Sequence, residues 1–178
     1  MEQEISDLTH TCIDKFEADG SAELLSQFAT PIPVTVIVRL LGVPESAVDK
    51  LLAWSHAMVK VYTLTQSYQD ELDANEASIE FIQFLKDQIK KHKNHADDKL
   101  LSHLISLQSE TDGPTDAEII SIVVLLLNAG HEATVHQLGN AILNLIKHPP
   151  SNTQWWNDRN TADSICLLYT SPSPRDRG

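Results

Sequence analysis

One stretch constrains this chain more than any other. From Ile119 to Leu127 it reads Ile-Ile-Ser-Ile-Val-Val-Leu-Leu-Leu, large aliphatic residues broken only by Ser121. Thr115-Asp116-Ala117-Glu118 stands immediately before it. That is a capping-box pattern: the Thr hydroxyl can accept from the third amide while the Glu carboxylate reaches back to the first. From there to Lys147 the residues remain compatible with one long helix, interrupted but not ended by Gly130 and Gly139, and His148-Pro149-Pro150 closes it. A helix that is apolar on every face is expected to be buried on every face. The rest of the chain must therefore supply walls around Ile119 to Leu127. The run itself is far too short to span a bilayer.

Upstream, the spacing of apolar residues predicts further helices. Met1 to Asp19 carries Ile5, Leu8, Cys12 and Phe16 at helical intervals, with Gly20 as its stop. Ser21 to Phe28 is a short apolar segment. Thr30-Pro31-Ile32-Pro33 is expected to form an extended turn, because a residue before proline avoids the α region. Pro33 then suits the first turn of a helix over Val34 to Leu41, ended by Gly42-Val43-Pro44-Glu45. A helix over Ser46 to Tyr62 presents Val48, Leu51, Leu52, Trp54, Met58 and Val59. After a loop over Thr63 to Gln69, a long helix over Asp70 to Lys93 is expected to turn Ile79, Ile82, Leu85 and Ile89 inward, with Phe81 and Phe84 beside them. A short helix runs from Asp97-Asp98 to Leu107, and Ser109 to Pro114 is a polar loop. No repeat of fixed period is visible. The fold class is all-α, with one long central buried helix.

The formal net charge of -12 argues against a nucleic-acid surface, which needs a basic patch to displace counterions. Lys86, Lys90, Lys91, Lys93 and Lys99 do cluster, but Asp87, Asp97 and Asp98 share their stretch, so they read as a solvated face. Nor is a helix-turn-helix with a basic recognition helix evident, which disfavours a DNA-binding regulator. The two cysteines, Cys12 and Cys166, lack the short spacing of a metal site and suggest no disulfide framework, so a reducing compartment is the default. Met1 to Asp19 is acidic and lacks the apolar centre of a signal peptide. A cytoplasmic protein, without membrane attachment, is the expectation.

Chemistry concentrates in Leu125-Leu126-Leu127-Asn128-Ala129-Gly130-His131-Glu132-Ala133-Thr134. A glycine inside a buried helix costs roughly 1 kcal/mol against alanine, and makes sense where something approaches the backbone closely. An acid two residues later, on so apolar a helix, also needs a reason. His131-Glu132 has the opening of a zinc-peptidase motif, but the next histidine is His136. Helical residues five apart diverge by about 140°, so the two imidazoles cannot share an ion, and no metal site is expected. Glu132 and His136, four apart, could simply pair on one face. From the residues alone, a packed core helix with a tolerated glycine accounts for the region as well.

The same string resembles the central helix of bacterial cytochromes P-450, haem-thiolate monooxygenases whose signature there is Ala/Gly-Gly-x-Asp/Glu-Thr-Thr. The run Gly139-Asn140-Ala141-Ile142-Leu143-Asn144-Leu145-Ile146-Lys147-His148-Pro149 is similar to the family's continuation to a helix end at His-Pro. Pro31 to Pro44, ending Leu-Leu-Gly-Val-Pro, and Asp97-Asp98-Lys99-Leu100-Leu101-Ser102-His103-Leu104 resemble two further family stretches, in the family's order. The resemblance implies a partial cytochrome P-450 domain over residues 1–150. It implies haem b as cofactor, a ferredoxin- or flavodoxin-type electron donor, and an apolar small molecule as substrate. It also implies roles. Ala129 and Gly130 would form the groove for dioxygen beside the haem, with Ala133 next to them. Leu125, Asn128 and Ala129 would face the substrate. Glu132 matches the acid that delivers protons during oxygen activation. Where the family has threonine after that acid, this chain has Ala133, and Thr134 stands one position further, rotated by about 100°. Ordered water or a substrate hydroxyl is then expected to carry the proton.

Two family features are not matched: a Glu-x-x-Arg pair after the central helix, and the Phe-x-x-Gly-x-x-x-Cys-x-Gly loop whose thiolate binds iron. Neither Cys12 nor Cys166 has that context. The expectation is a fragment that is inactive alone and poorly soluble or self-associating. Residues 151–178 are expected to be a tail outside the family pattern, disordered or an out-of-frame end. A non-enzymatic helical interaction module is the competing reading.

Overall fold

The computed structural model describes residues 2–149; the tail from residue 151 onward lies outside them. Among the described residues there are α-helices, short 3-10 and π-type turns, and no strand. The helices are α1 (Glu2–Glu17), α2 (Pro31–Leu41), α3 (Val48–Lys60), α4 (Tyr68–Asn94), α5 (Leu100–Ser106) and α6 (Asp116–Lys147). The described residues divide into two compact units, Pro33–His131 and residues 2–32 with 132–149.

The first unit holds a continuous apolar core. Val34, Val38 and Leu41 of α2, Leu51 and Trp54 of α3, Phe81, Leu85 and Ile89 of α4, Leu101 of α5, and Ile119, Val123 and Leu127 of α6 all belong to it. Trp54 is its hub. Its ring stacks on Phe81 at 5.3 Å and tilts against Phe84 at 5.6 Å, and its indole N–H donates to Glu80 Oε2 at 2.8 Å. The polar edge of the ring thus reaches solvent-side charge while its body is buried.

Two helices begin on capping boxes. At α6 the box read from the sequence forms: Thr115 N–H donates to Glu118 Oε2 at 2.8 Å, and Glu118 N–H donates to Thr115 Oγ1 at 3.3 Å. These bonds hold the Glu118 carboxyl below its ordinary range. At α4 a second box, not anticipated, uses Ser67 and Asp70. Asp70 also pairs with Lys60 at the end of α3 (2.5 Å), so one carboxylate ties together both ends of the loop between α3 and α4. The Lys60 ammonium, followed by bonds from Ser67, brings the Asp70 carboxyl down to about 2.

A buried polar knot joins α2, α4 and α5. His92 Nδ1 lies 2.9 Å from Ser102 Oγ and its Nε2 lies 3.2 Å from the Gly42 carbonyl oxygen. Ser102 Oγ donates to Asp97 Oδ1 at 2.6 Å, which pulls the Asp97 carboxyl down. Gly42 has φ +81°, and a Cβ there would meet Lys99 Cβ at 2.7 Å, so only glycine fits this helix end.

Several expectations are corrected. Thr30 is helical (φ -76°, ψ -48°) rather than extended. A π-type turn over Leu25–Ala29 feeds straight into α2, the Thr30 amide bonds Leu25 O at 2.8 Å, and both prolines sit in the first turn of α2, where no amide donor is needed. On α4 the inward face is Ala74, Ala77, Phe81, Leu85, Gln88, Ile89 and His92, while Ile79 is 61% exposed and Ile82 37%. Most importantly, α6 is not buried all round. Leu127 is fully buried, but Ile122 is 42% and Leu125 68% exposed. By length and apolarity alone α6 could cross a membrane, which Ile119 to Leu127 by itself could not. Its Ile119, Val123 and Leu127, however, are packed in the core of the first unit.

The second unit buries Leu8 and Cys12 of α1 and Ala29 and Ile32. Burial pushes the Cys12 thiol up. A Cβ at Gly139 of α6 would meet Leu25 Cδ2 at 2.8 Å. Leu24, Leu25, His136, Gly139, Asn140, Leu143 and Ile146 line an open groove of about 310 Å³.

Candidate functional site

The residues singled out on α6 fall into distinct environments. Leu125 and Ala129, four apart and so on one helical face, are both exposed. In the second unit Ala133 is also exposed, and Glu132 and Thr134 are half-buried. Glu132 makes no hydrogen bond or ion pair among the described residues, so the pairing with His136 does not form there.

Gly130 serves packing. A Cβ built on it would come 3.0 Å from Ile37 Cδ1 of α2. Its missing side chain lets α6 approach α2. This is the close approach that a glycine inside the helix predicts, though the approaching group is a core side chain.

Asn128 is half-buried. Its Oδ1 accepts from the hydroxyl of Ser55 at 2.8 Å, a bond from α3 to α6 inside an otherwise apolar interface. Ser55 escaped the sequence reading because a small hydroxyl on a helix stripe gives no pattern signal of its own. Beside this bond, Met58, Val61, Tyr62, Ala74, Asn75, Ser78, Val124 and Asn128 line an open depression of about 270 Å³, with Tyr62 and Asn75 exposed at its rim.

His131 is buried. Its Nδ1 lies 2.8 Å from the Leu127 carbonyl oxygen, which can only accept, so Nδ1 carries the hydrogen. The other nitrogen, Nε2, has no hydrogen-bond partner among the described residues, and the His56 ring lies 5.8 Å away. His136 is exposed. Among the described residues no three His, Cys, Asp or Glu side chains stand together in a metal-binding group.

The sequence model of the cytochrome P-450 family matches residues 46–154. The chain belongs to the cytochrome P-450 family. It is 32% identical to cytochrome P-450 107B1 of Saccharopolyspora erythraea over 171 residues, covering 94% of this chain and 40% of that protein. It is 30% identical to the biotin biosynthesis cytochrome P-450 of Bacillus subtilis over 172 residues, covering 95% and 43%. Among solved structures, a cytochrome P-450 in complex with an acyl carrier protein ligated to hexadec-9Z-enoic acid superposes with a TM-score of 0.81 at 29% identity. That superposition covers 96% of this chain and 45% of that one. A myxobacterial cytochrome P-450 in complex with myristic acid gives 0.82 at 26%, covering 92% and 40%. The chain thus spans about two-fifths of the length of these relatives.

The family's cofactor is haem. Of the residues expected beside it, Ala129 is exposed, small and uncharged, which is compatible with a flat apolar group against that side of α6. The axial thiolate has no counterpart among the described residues. Cys12 is 1% exposed, and its burial favours the neutral thiol, which does not bind iron.

Proposed function

We propose that a polypeptide containing this segment is a haem-dependent monooxygenase. It would hydroxylate a largely apolar small molecule in the cytoplasm with O2 and two electrons from a ferredoxin- or flavodoxin-type donor. This chain by itself would not turn over. The observation that carries the reading is the exposure of Leu125 and Ala129 on a helix whose opposite side is core. Haem, when bound, would supply the oxygen activation. The small side chains of Ala129 and Ala133 leave room beside it, and Leu125, Asn128 and Ala129 contact substrate. Gly130 sets the distance of α6 from α2 through Ile37. Glu132 would relay protons through its carboxyl oxygens, which have no partner among the described residues and so can exchange them with water. Ala133 contributes no hydroxyl, so the relay runs through water, a substrate hydroxyl or Thr134.

The test is a chimera in which residues 2–149 replace the matching segment of the Saccharopolyspora relative. The reduced, carbon monoxide-treated chimera should give a thiolate-type Soret band, and Ala133→Thr should raise product formed per electron consumed. A cooperatively folded chimera without haem sinks the oxygenase reading. This chain alone, given haemin, should show no such band; if it does, the claim of inactivity fails. The exposed Ile122, Leu125, Leu143 and Ile146 favour, as a second reading, a helical module that docks a partner on these faces. The haemless folded chimera is the outcome that would support it.

A further inference from the structure

The open depression lined by α3, α4 and α6 is only half apolar. Met58, Val61, Ala74 and Val124 supply hydrocarbon, and Tyr62, Asn75, Ser78 and Asn128 supply polar atoms. No charged side chain lines it. The Ser55–Asn128 bond fixes which polar atom points where. Ser55 is fully buried, and its hydroxyl donates to Asn128 Oδ1 at 2.8 Å. Turning the amide over would bring an NH2 against the Ser55 oxygen and give up that bond. Oδ1 therefore stays on Ser55, and the Asn128 NH2 is left over. It makes no hydrogen bond among the described residues, yet it is not sealed from solvent. Ser78 spends its own hydrogen on Ala74 O at 2.7 Å, so its oxygen presents only lone pairs. The Asn75 carboxamide is unpaired too.

We infer that this depression binds the oxygen-bearing end of a neutral amphipathic molecule, a ketone, lactone or ester carbonyl on an aliphatic body, with Asn128 Nδ2 as the donor that selects it. A pure hydrocarbon would cover the half-buried Asn128 carboxamide without pairing its NH2, while the exposed Asn75 stays in water. A carboxylate would enter without a counter-charge, since the nearest lysine on α3, Lys60, is engaged by Asp70. The inference sharpens the substrate class of the oxygenase reading and rests on that reading for the word substrate. The binding itself involves no haem.

The test uses the full chain and two probes of similar shape, cyclohexyl methyl ketone and cyclohexanecarboxylate, at neutral pH. The side-chain NH2 resonances of Asn128 and Asn75 report occupancy by NMR titration. The ketone should shift the Asn128 NH2 signal and bind about tenfold more tightly than the carboxylate. One neutral hydrogen bond sets the next expectation: Asn128→Leu should weaken the ketone about five- to tenfold and leave the carboxylate unchanged. Because Asn128→Leu takes that acceptor from the Ser55 hydroxyl, Ser55→Ala/Asn128→Leu removes both partners and should show the same loss in a well-folded chain. Ser55→Ala alone frees the amide to turn over and should reduce the preference for the ketone. Equal binding of both probes, or ketone binding unchanged in the double variant, overturns the inference. Neither result bears on the chimera experiment, and a haemless chimera leaves this titration intact.

Discussion

The two long helices, α4 and α6, solve the same problem with opposite sequences. α4 is a charged helix with a narrow inward face built on Phe81, Leu85 and Ile89, and it turns Lys86, Lys90 and Lys91 to solvent. α6 is apolar nearly all round in its first half, yet it buries Ile119, Ile120, Val123, Leu127 and His131, with Val124 and Leu126 partly buried against the core. Most of what α4 exposes is charged or polar, with Leu72 at 45% and Ile79 at 61% the apolar exceptions. In its first half α6 exposes large aliphatic side chains instead. The difference teaches that a sequence reports how much apolar surface a helix carries, while the cover over that surface comes from whatever else the polypeptide brings. On α6 the apolar residues left exposed include Ile122 and Leu125, and Leu125 is one that the proposed function gives to substrate.

The sharpest way to break that contrast is to truncate one residue on each side of α6. Leu127→Ala, in the core, should cost about 2–5 kcal/mol in urea unfolding. Leu125→Ala, 68% exposed, should change stability by no more than about 0.5 kcal/mol. Equal costs would mean that both sides are covered. Next comes the approach of α6 to α2. Gly130→Ala should gain about 1 kcal/mol of helix propensity in an Ile37→Val background, where the Cδ1 now 3.0 Å away is gone, and show no such gain with Ile37 present. A double-mutant cycle reads the coupling, and strict additivity would refute the packing role. Thr115→Ala should cost about 1 kcal/mol by removing the α6 cap, an effect visible as lost helicity at the start of the helix.

The α4 cap responds to acid. Asp70 is held at about 2 against an ordinary 3.8, a lowered value, so its contribution is complete above the ordinary range. It is lost as pH falls from about 4 toward 2. Asp70→Asn should flatten the stability profile in that window, as followed by urea unfolding at a series of pH values, and a profile unchanged there would remove the clasp from the account. At neutral pH the exposed side of this pair, Lys60, limits the effect to the smallest of the four.

The family, the all-α class and the order of helices are legible in the residues themselves, because Thr115-x-x-Glu118 and the run behind it carry local signals. The inward face of α4 is not. Ile79 and Ile82 interleave with Phe81 and Phe84, so periodicity alone admits two phases, and the buried Ala74 and Ala77 weigh too little to decide between them. The same limit applies at the candidate site. The string from Leu125 to Thr134 can be read, but the partners that fix its geometry, Ile37 for Gly130 and Ser55 for Asn128, lie far away in sequence and carry no motif.

The clasp between Lys60 and Asp70 has a consequence in time as well as in structure. α3 and α4 are consecutive, and the segment between them, residues 61–67, is short. Closing so small a loop sacrifices little chain entropy, whereas bringing α6 onto α2 must close a far longer one. The α3–α4 hairpin, with Trp54 already against Phe81 and the ends of its loop pinned, is therefore the piece expected to form first and to offer α6 a surface on which to condense. Folding kinetics of Trp54→Phe and Leu127→Ala variants should place the hairpin early, with the larger φ-value at Trp54, and the reverse order would put nucleation on α6 instead.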